Sequence, residues 1–153
     1  MKTFWRISAY ADLSGEGAKI ASARWHTKGS PVVYLAESPA GAMIEHLVHL
    51  LHTRWRLPDS YDLLEVQAPE EIEVEELLPL AGVDWKENLL LTRRVGDEWL
   101  AKRAAPLARV PSAIMPRTWN ILLNPEHADA REVRIASALR ERFDHRLFDF
   151  GRR

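Results

Sequence analysis

Apolar and polar residues change rhythm several times along this chain. Pro31-Val32-Val33-Tyr34-Leu35-Ala36 is a short apolar run, β-branched at its start, and Lys28-Gly29-Ser30-Pro31 before it reads as a turn. Together they predict a strand. Lys2 to Ser8, Leu63 to Val66, Leu107 to Val110 and Trp119 to Leu123 are further short strand candidates. The clearest helical period runs from Pro39 to Trp55, where Ile44, Leu47, Val48, Leu51 and Trp55 recur on one face. Ser38 suits the N-cap, Pro39 the first helical position, and Pro58 stops the pattern. A second helix is predicted over Thr92 to Arg103, with Gly96 unfavourable inside it. The acidic stretch Glu70 to Glu76 predicts a solvated helical turn. Ala130 to Phe143 reads as a helix by composition, or as a strand through the alternation Arg131-Glu132-Val133-Arg134-Ile135; periodicity does not separate the two.

Composition narrows the class. With 153 residues, 46% hydrophobic and 28% charged, the chain predicts one globular domain over residues 1–153. Its six tryptophans have unlike flanks and reveal no repeat, and no Gly/Ser- or Pro-rich linker divides it. Twenty-one basic against 22 acidic side chains leave a net charge of −1, with no overall pull toward nucleic acid or an anionic membrane. The absence of cysteine excludes disulfides, thiolate metal sites and a cysteine nucleophile. No apolar run approaches the roughly 20 residues that span a bilayer, and Met1 to Arg6 holds no apolar signal core. A soluble, cytoplasmic protein is expected.

Four groupings are candidates for chemistry. Glu45, His49 and His52 share a helix face and have ligand chemistry for a first-row metal. They lack the HExxH pattern, and a polar helix face with hydrogen-bonded histidines accounts for them without a metal. Gly15-Glu16-Gly17 is a flexible loop whose amides can approach a phosphate, although glycines in a tight turn explain it more simply. In Arg24-Trp25, a guanidinium beside an indole suits a phosphate or a stacked base; the alternative is a surface salt bridge with Trp25 in the core. Ser112, in Val110-Pro111-Ser112-Ala113, is a nucleophile or a turn-capping hydroxyl, and spacing favours the cap. Arg93-Arg94 and Arg152-Arg153 read as solvated basic pairs.

Taken in order, several of these pieces resemble the RES domain. They are Ser14-Gly15-Glu16-Gly17-Ala18, Ala23-Arg24-Trp25-His26, Pro31 to Ser38 and Met43-Ile44-Glu45. Gly96-Asp97-Glu98-Trp99-Leu100, Val110-Pro111-Ser112-Ala113 and Asn120 to His127 complete the set. The arginine, glutamate and serine that name the domain match Arg24, Glu45 and Ser112. The chain has Ser22-Ala23-Arg24-Trp25-His26 where many relatives have Gly-Gly-Arg-Trp-Asn. Arg6 matches the arginine of an arginine-tyrosine pair found in some relatives, but Ile7 replaces the tyrosine, which leaves Tyr34 to supply the aromatic surface.

The resemblance implies an α+β fold similar to ADP-ribosyltransferases, with a split antiparallel sheet and flanking helices around an NAD-binding cleft. It also favours strands in the C-terminal segment. It implies the toxin of a bacterial toxin–antitoxin pair that consumes NAD+ as substrate, with no true cofactor and no metal. The implied partner is an Xre-like helix-turn-helix antitoxin that covers the active site in a hetero-oligomer and makes any DNA contact. Site membership carries over to Arg24, Tyr34, Glu45 and Ser112, with Arg6 as a further NAD+ contact. The chemistry suits these residue types. Nicotinamide leaves as a neutral molecule, so the barrier lies in positive charge developing on the ribose, as in glycoside hydrolysis. A fixed carboxylate such as Glu45 stabilises that charge. Arg24 and Arg6 are expected to hold pyrophosphate or ribose oxygens, Tyr34 to pack on nicotinamide, and Ser112 to hydrogen-bond nearby rather than attack.

Overall fold

In the computed structural model, residues 1–53, 58–77 and 82–149 are described. Trp55 and the Arg152-Arg153 pair lie outside them. The described residues form a mixed α+β fold: a seven-stranded sheet flanked by three α-helices. The strands are β1 (Lys2–Ile7), β2 (Val33–Ala36), β3 (Ser60–Ala68), β4 (Val74–Glu76), β5 (Leu107–Pro111), β6 (Trp119–Leu123) and β7 (Arg134–Arg142). The helices are α1 (Gly17–Ile20), α2 (Pro39–Thr53) and α3 (Leu89–Lys102). Strand order is β4-β5-β6-β2-β1-β3-β7. Every pairing is antiparallel except β4 with β5.

The sheet is nearly divided at its centre. β1 and β2 share one register pair, Trp5↔Ala36, whereas β1 runs six pairs along β3 and β2 runs four along β6. Two half-sheets, β4-β5-β6-β2 and β1-β3-β7, therefore meet at a narrow seam.

Strand alternation sorts the core onto the two faces. Val33, Leu35, Leu107, Ile121 and Leu123 pack with Phe4, Leu64 and Val66 on one face. Ala108, Val110 and Leu122 pack with Trp25, Trp99 and Leu100 on the other, beneath α3.

The helix starts follow the capping rules. Ser38 Oγ accepts the Gly41 amide at 3.0 Å, so α2 starts where Ser38-Pro39 predicts. α3 begins three residues earlier than the apolar pattern suggests, because Asn88 Oδ1 accepts the Leu91 amide at 3.1 Å. It ends on Arg103, whose φ of 50° is left-handed.

Two sequence expectations are corrected. In the acidic stretch Glu70 to Glu76 only Glu70 and Glu71 lie in a turn, closed by the Ile72 amide on the Pro69 carbonyl at 3.2 Å; Val74–Glu76 is an edge strand, and Val74 packs against the core beside Leu107. The apolar face read along α2 includes Leu51, yet Leu51 is 65% exposed while Ala42 and Leu50 are buried. The helix is turned so that Glu45 faces the protein. The C-terminal segment, open between helix and strand by periodicity, is a strand as the resemblance implies: β7 spans Arg134–Arg142, after a 3-10 turn over Ala128–Glu132. No helix among the described residues is long and apolar enough to cross a membrane.

Candidate active site

α2 carries Glu45 to the hairpin made by β5 and β6. Ser112 lies just past the end of β5, and its amide donates to the Thr118 carbonyl at 2.8 Å, closing the turn. Asn120 is the second residue of β6, opposite Val110 and Ala36. Both side chains reach the same atom. Ser112 Oγ donates to Glu45 Oε1 at 2.7 Å, and Asn120 Nδ2 donates to it at 2.8 Å. The serine proton is committed to Glu45, because Ser112 Oγ itself accepts the Ile114 and Met115 amides at 3.1 and 3.2 Å. Ser112 and Asn120 are buried. Charge-assisted bonds of this kind fix a carboxylate's position and direction.

Arg24 is held by a different construction. The segment from Ala23 to His26 folds back on itself, with the Ala23 amide donating to the His26 carbonyl at 3.1 Å. One face of α3 grips this turn residue by residue. Arg93 Nε donates to Ala23 O at 2.8 Å, and the buried Thr92 hydroxyl donates to Arg24 O at 2.6 Å. Asp97 Oδ1 accepts the Thr27 amide at 2.8 Å. At Gly96 the helix backbone comes so close that a Cβ would stand 1.7 Å from Trp25 O. Gly96, unfavourable by helix propensity, is thus the residue that this contact requires. Arg93 is part of the clasp rather than solvated surface. The Arg24 guanidinium donates through Nη1 to Lys86 O at 2.8 Å. Trp25 is buried against Trp85, with ring centres 5.8 Å apart, so its indole belongs to the core and is no platform for a base.

Tyr34 supports the same turn from below. Its hydroxyl oxygen accepts the Trp25 amide at 3.2 Å, and His26 Nδ1 lies 2.8 Å away. His26 Nε2 faces the Ala18 and Ala21 carbonyls at 3.1 and 2.9 Å. Carbonyls only accept, so Nε2 carries the proton and Nδ1 accepts from the Tyr34 hydroxyl. His26, standing where many relatives have asparagine, ties α1 to Tyr34. Burial pushes the Tyr34 phenol well above its ordinary pKa.

The structure therefore joins Glu45 to Ser112 directly and places Tyr34 against the Arg24 turn. Register links the two groups. Tyr34 opposes Leu122 and Ala36 opposes Asn120, so Tyr34 and Asn120 are diagonal neighbours on one face, about 7–8 Å apart. Arg6 stands apart: Trp5 pairs with Ala36 on the Asn120 face, so alternation turns Arg6 to the opposite one. Its Nη1 donates to Asp12 O at 2.7 Å. Burial lowers the Arg6 pKa, and the Asp12 carboxylate opposes that shift.

Glu45, His49 and His52 form no metal centre. Glu45 Oε1 is held by Ser112 and Asn120, and His52 Nδ1 donates to Val48 O at 2.8 Å. Among the described residues no group of three or more His, Cys, Asp and Glu is placed to hold an ion. The Gly15 loop is a tight turn: φ is 69°, and a Cβ there would lie 2.7 Å from Val32 N. Asn120, Thr92, Arg93 and His26 escaped the sequence reading as functional positions.

The chain belongs to the RES domain family, whose model matches residues 3–146. It is 47% identical over 131 residues to "Toxin Res" of Pseudomonas putida, covering 86% of this chain and 90% of that protein. It is 33% identical over 156 residues to the "Prs ADP-ribosylating toxin" of a Sphingobium species, covering 95% and 96%. A "Toxin Res" of Yersinia enterocolitica is 36% identical over 121 residues, covering 74% and 75%.

Proposed function

We propose that this protein is a toxin that consumes NAD+ by cleaving the bond between nicotinamide and ribose. The observation that carries this reading is the anchored carboxylate: Ser112 and Asn120 both hold Glu45 Oε1, and neither engages Oε2. As the C1′–N bond breaks, its electron pair leaves with neutral nicotinamide and positive charge grows on the ribose. A preorganised anion beside that carbon lowers the barrier. Water or phosphate then bonds to C1′ and gives up its proton. Arg24, presented on a turn clasped by α3, holds the pyrophosphate, and Tyr34 forms the wall beneath the nicotinamide end. The near-division of the sheet at Trp5↔Ala36 supports the ADP-ribosyltransferase-like reading of the fold.

A second reading, transfer of ADP-ribose to a cellular protein, is favoured by the relative named an ADP-ribosylating toxin. The same cleavage serves both, and only the acceptor differs. As part of the proposal, the single domain acts in the cytoplasm. An Xre-like antitoxin covers its site there in a hetero-oligomer, which the family and the names of its relatives support.

Purified protein incubated with NAD+ tests the reading. Nicotinamide released together with free ADP-ribose or its phosphate supports degradation. Nicotinamide released with a 1:1 ADP-ribose adduct on an added lysate protein supports transfer. No nicotinamide from folded protein overturns both.

A further inference from the structure

We infer that Asn120 is a positioning residue that fixes the direction of the Glu45 carboxylate. The inference rests on the reading of Glu45 given above. Asn120 is buried, and its Nδ2 lies 2.8 Å from Glu45 Oε1. Its other amide atom, Oδ1, is buried without a partner among the described residues. An unsatisfied buried carbonyl is costly, and turning the amide over would bring that carbonyl against the Glu45 carboxylate, acceptor against acceptor. The orientation found is therefore the one that an ionised Glu45 dictates, and the orphaned Oδ1 is its cost.

The two donors on Oε1 play different parts. Ser112 sits on the turn just past the end of β5. Asn120 sits within β6, paired on both sides with Ala36 and Val110, so its donor is fixed by the sheet. With Oε1 occupied from both directions, Oε2 becomes the working oxygen.

Two measurements test this. In 15N-labelled protein without ligand, the Asn120 side-chain amide signals should shift clearly on Glu45→Gln, because the acceptor loses its charge. Asn120→Asp places a second carboxyl against the first, and such a pair holds a proton. Nicotinamide release should fall at least about tenfold at neutral pH. The acidic limb of the pH profile should move up by about one unit or more. Asn120→Ala should lower kcat with KM little changed, since only orientation is lost. Amide signals indifferent to Glu45→Gln would overturn the inference whether or not NAD+ is the substrate. So would a folded Asn120→Asp protein with the wild-type pH profile. Absence of wild-type nicotinamide release would count against the proposed function, and the amide signals would still decide the role of Asn120.

Discussion

Ser112 Oγ stands 2.7 Å from Glu45 Oε1 while accepting the amides of Ile114 and Met115. One hydroxyl thus ties α2 to the β5–β6 turn and organises that turn as well. Ser112→Ala removes three hydrogen bonds at once. The turn lies near solvent, so water can replace the lost acceptor, and the stability loss should be about 1 kcal/mol. A drop of roughly 2–4 °C in Tm is then expected, with nicotinamide release falling by a larger factor. A variant with full turnover would show that Glu45 does not need the serine.

Gly96→Ala sets two effects against each other. Helix propensity favours alanine by about 1 kcal/mol. Against it, the new Cβ would meet Trp25 O at 1.7 Å, in a backbone segment held by the Trp25 amide on Tyr34, the Arg24 carbonyl on Thr92 and the Thr27 amide on Asp97. Overpacking costs about 1–3 kcal/mol, and so close an approach belongs at the upper end. Thermal denaturation should show a clear loss of stability. A stabilised Gly96→Ala protein would mean that α3 does not sit on the Trp25 carbonyl.

Arg24 is presented rather than buried, and its turn is fixed by Thr92, Arg93 and Asp97. Arg24→Ala should therefore leave the fold intact and weaken NAD+ binding. Calorimetric titration with NAD+ on a Glu45→Gln background checks this without turnover. An unchanged affinity would contradict the phosphate role.

Tyr34 supplies a pH signature. Its phenol is raised in the folded protein above the value of an exposed tyrosine, mainly by burial. Above pH ~10 the unfolded chain loses this proton while the folded one keeps it. Stability should consequently fall as pH rises past that point. Absorbance at alkaline pH should show Tyr34 ionising only on unfolding, a component that Tyr34→Phe abolishes. Reversible ionisation of Tyr34 in the native state would contradict its place beneath the Arg24 turn.

Local rhythm reveals elements whose burial is even along their length. β6 is one: Asn120 to Leu123 are all buried, and the run reads as a strand from Trp119 onward. β7 fails the same reading for a physical reason. It is an edge strand exposed on both faces, so it carries no alternation to distinguish it from a helix. β4 is three residues long and two are glutamates, leaving Val74 alone to signal burial. At the site, Glu45, Ser112 and Arg24 were legible because the family motif names them. Thr92, Arg93, Gly96 and Asp97 were not, since three of them bond to backbone groups about 70 residues earlier in the chain and Gly96 packs against another. Such partners leave no mark in sequence spacing. Asn120 likewise acts through a side chain 75 positions away.

In the proposed function, Glu45 provides the charge that makes NAD+ cleavage possible. Its most direct test is nicotinamide release from NAD+ by wild type beside Glu45→Gln, which keeps the shape and removes the charge. Wild type should release nicotinamide, and the variant should lose well over tenfold, more than about 1.4 kcal/mol of barrier. A folded Glu45→Gln protein that turns over NAD+ at the wild-type rate would contradict it.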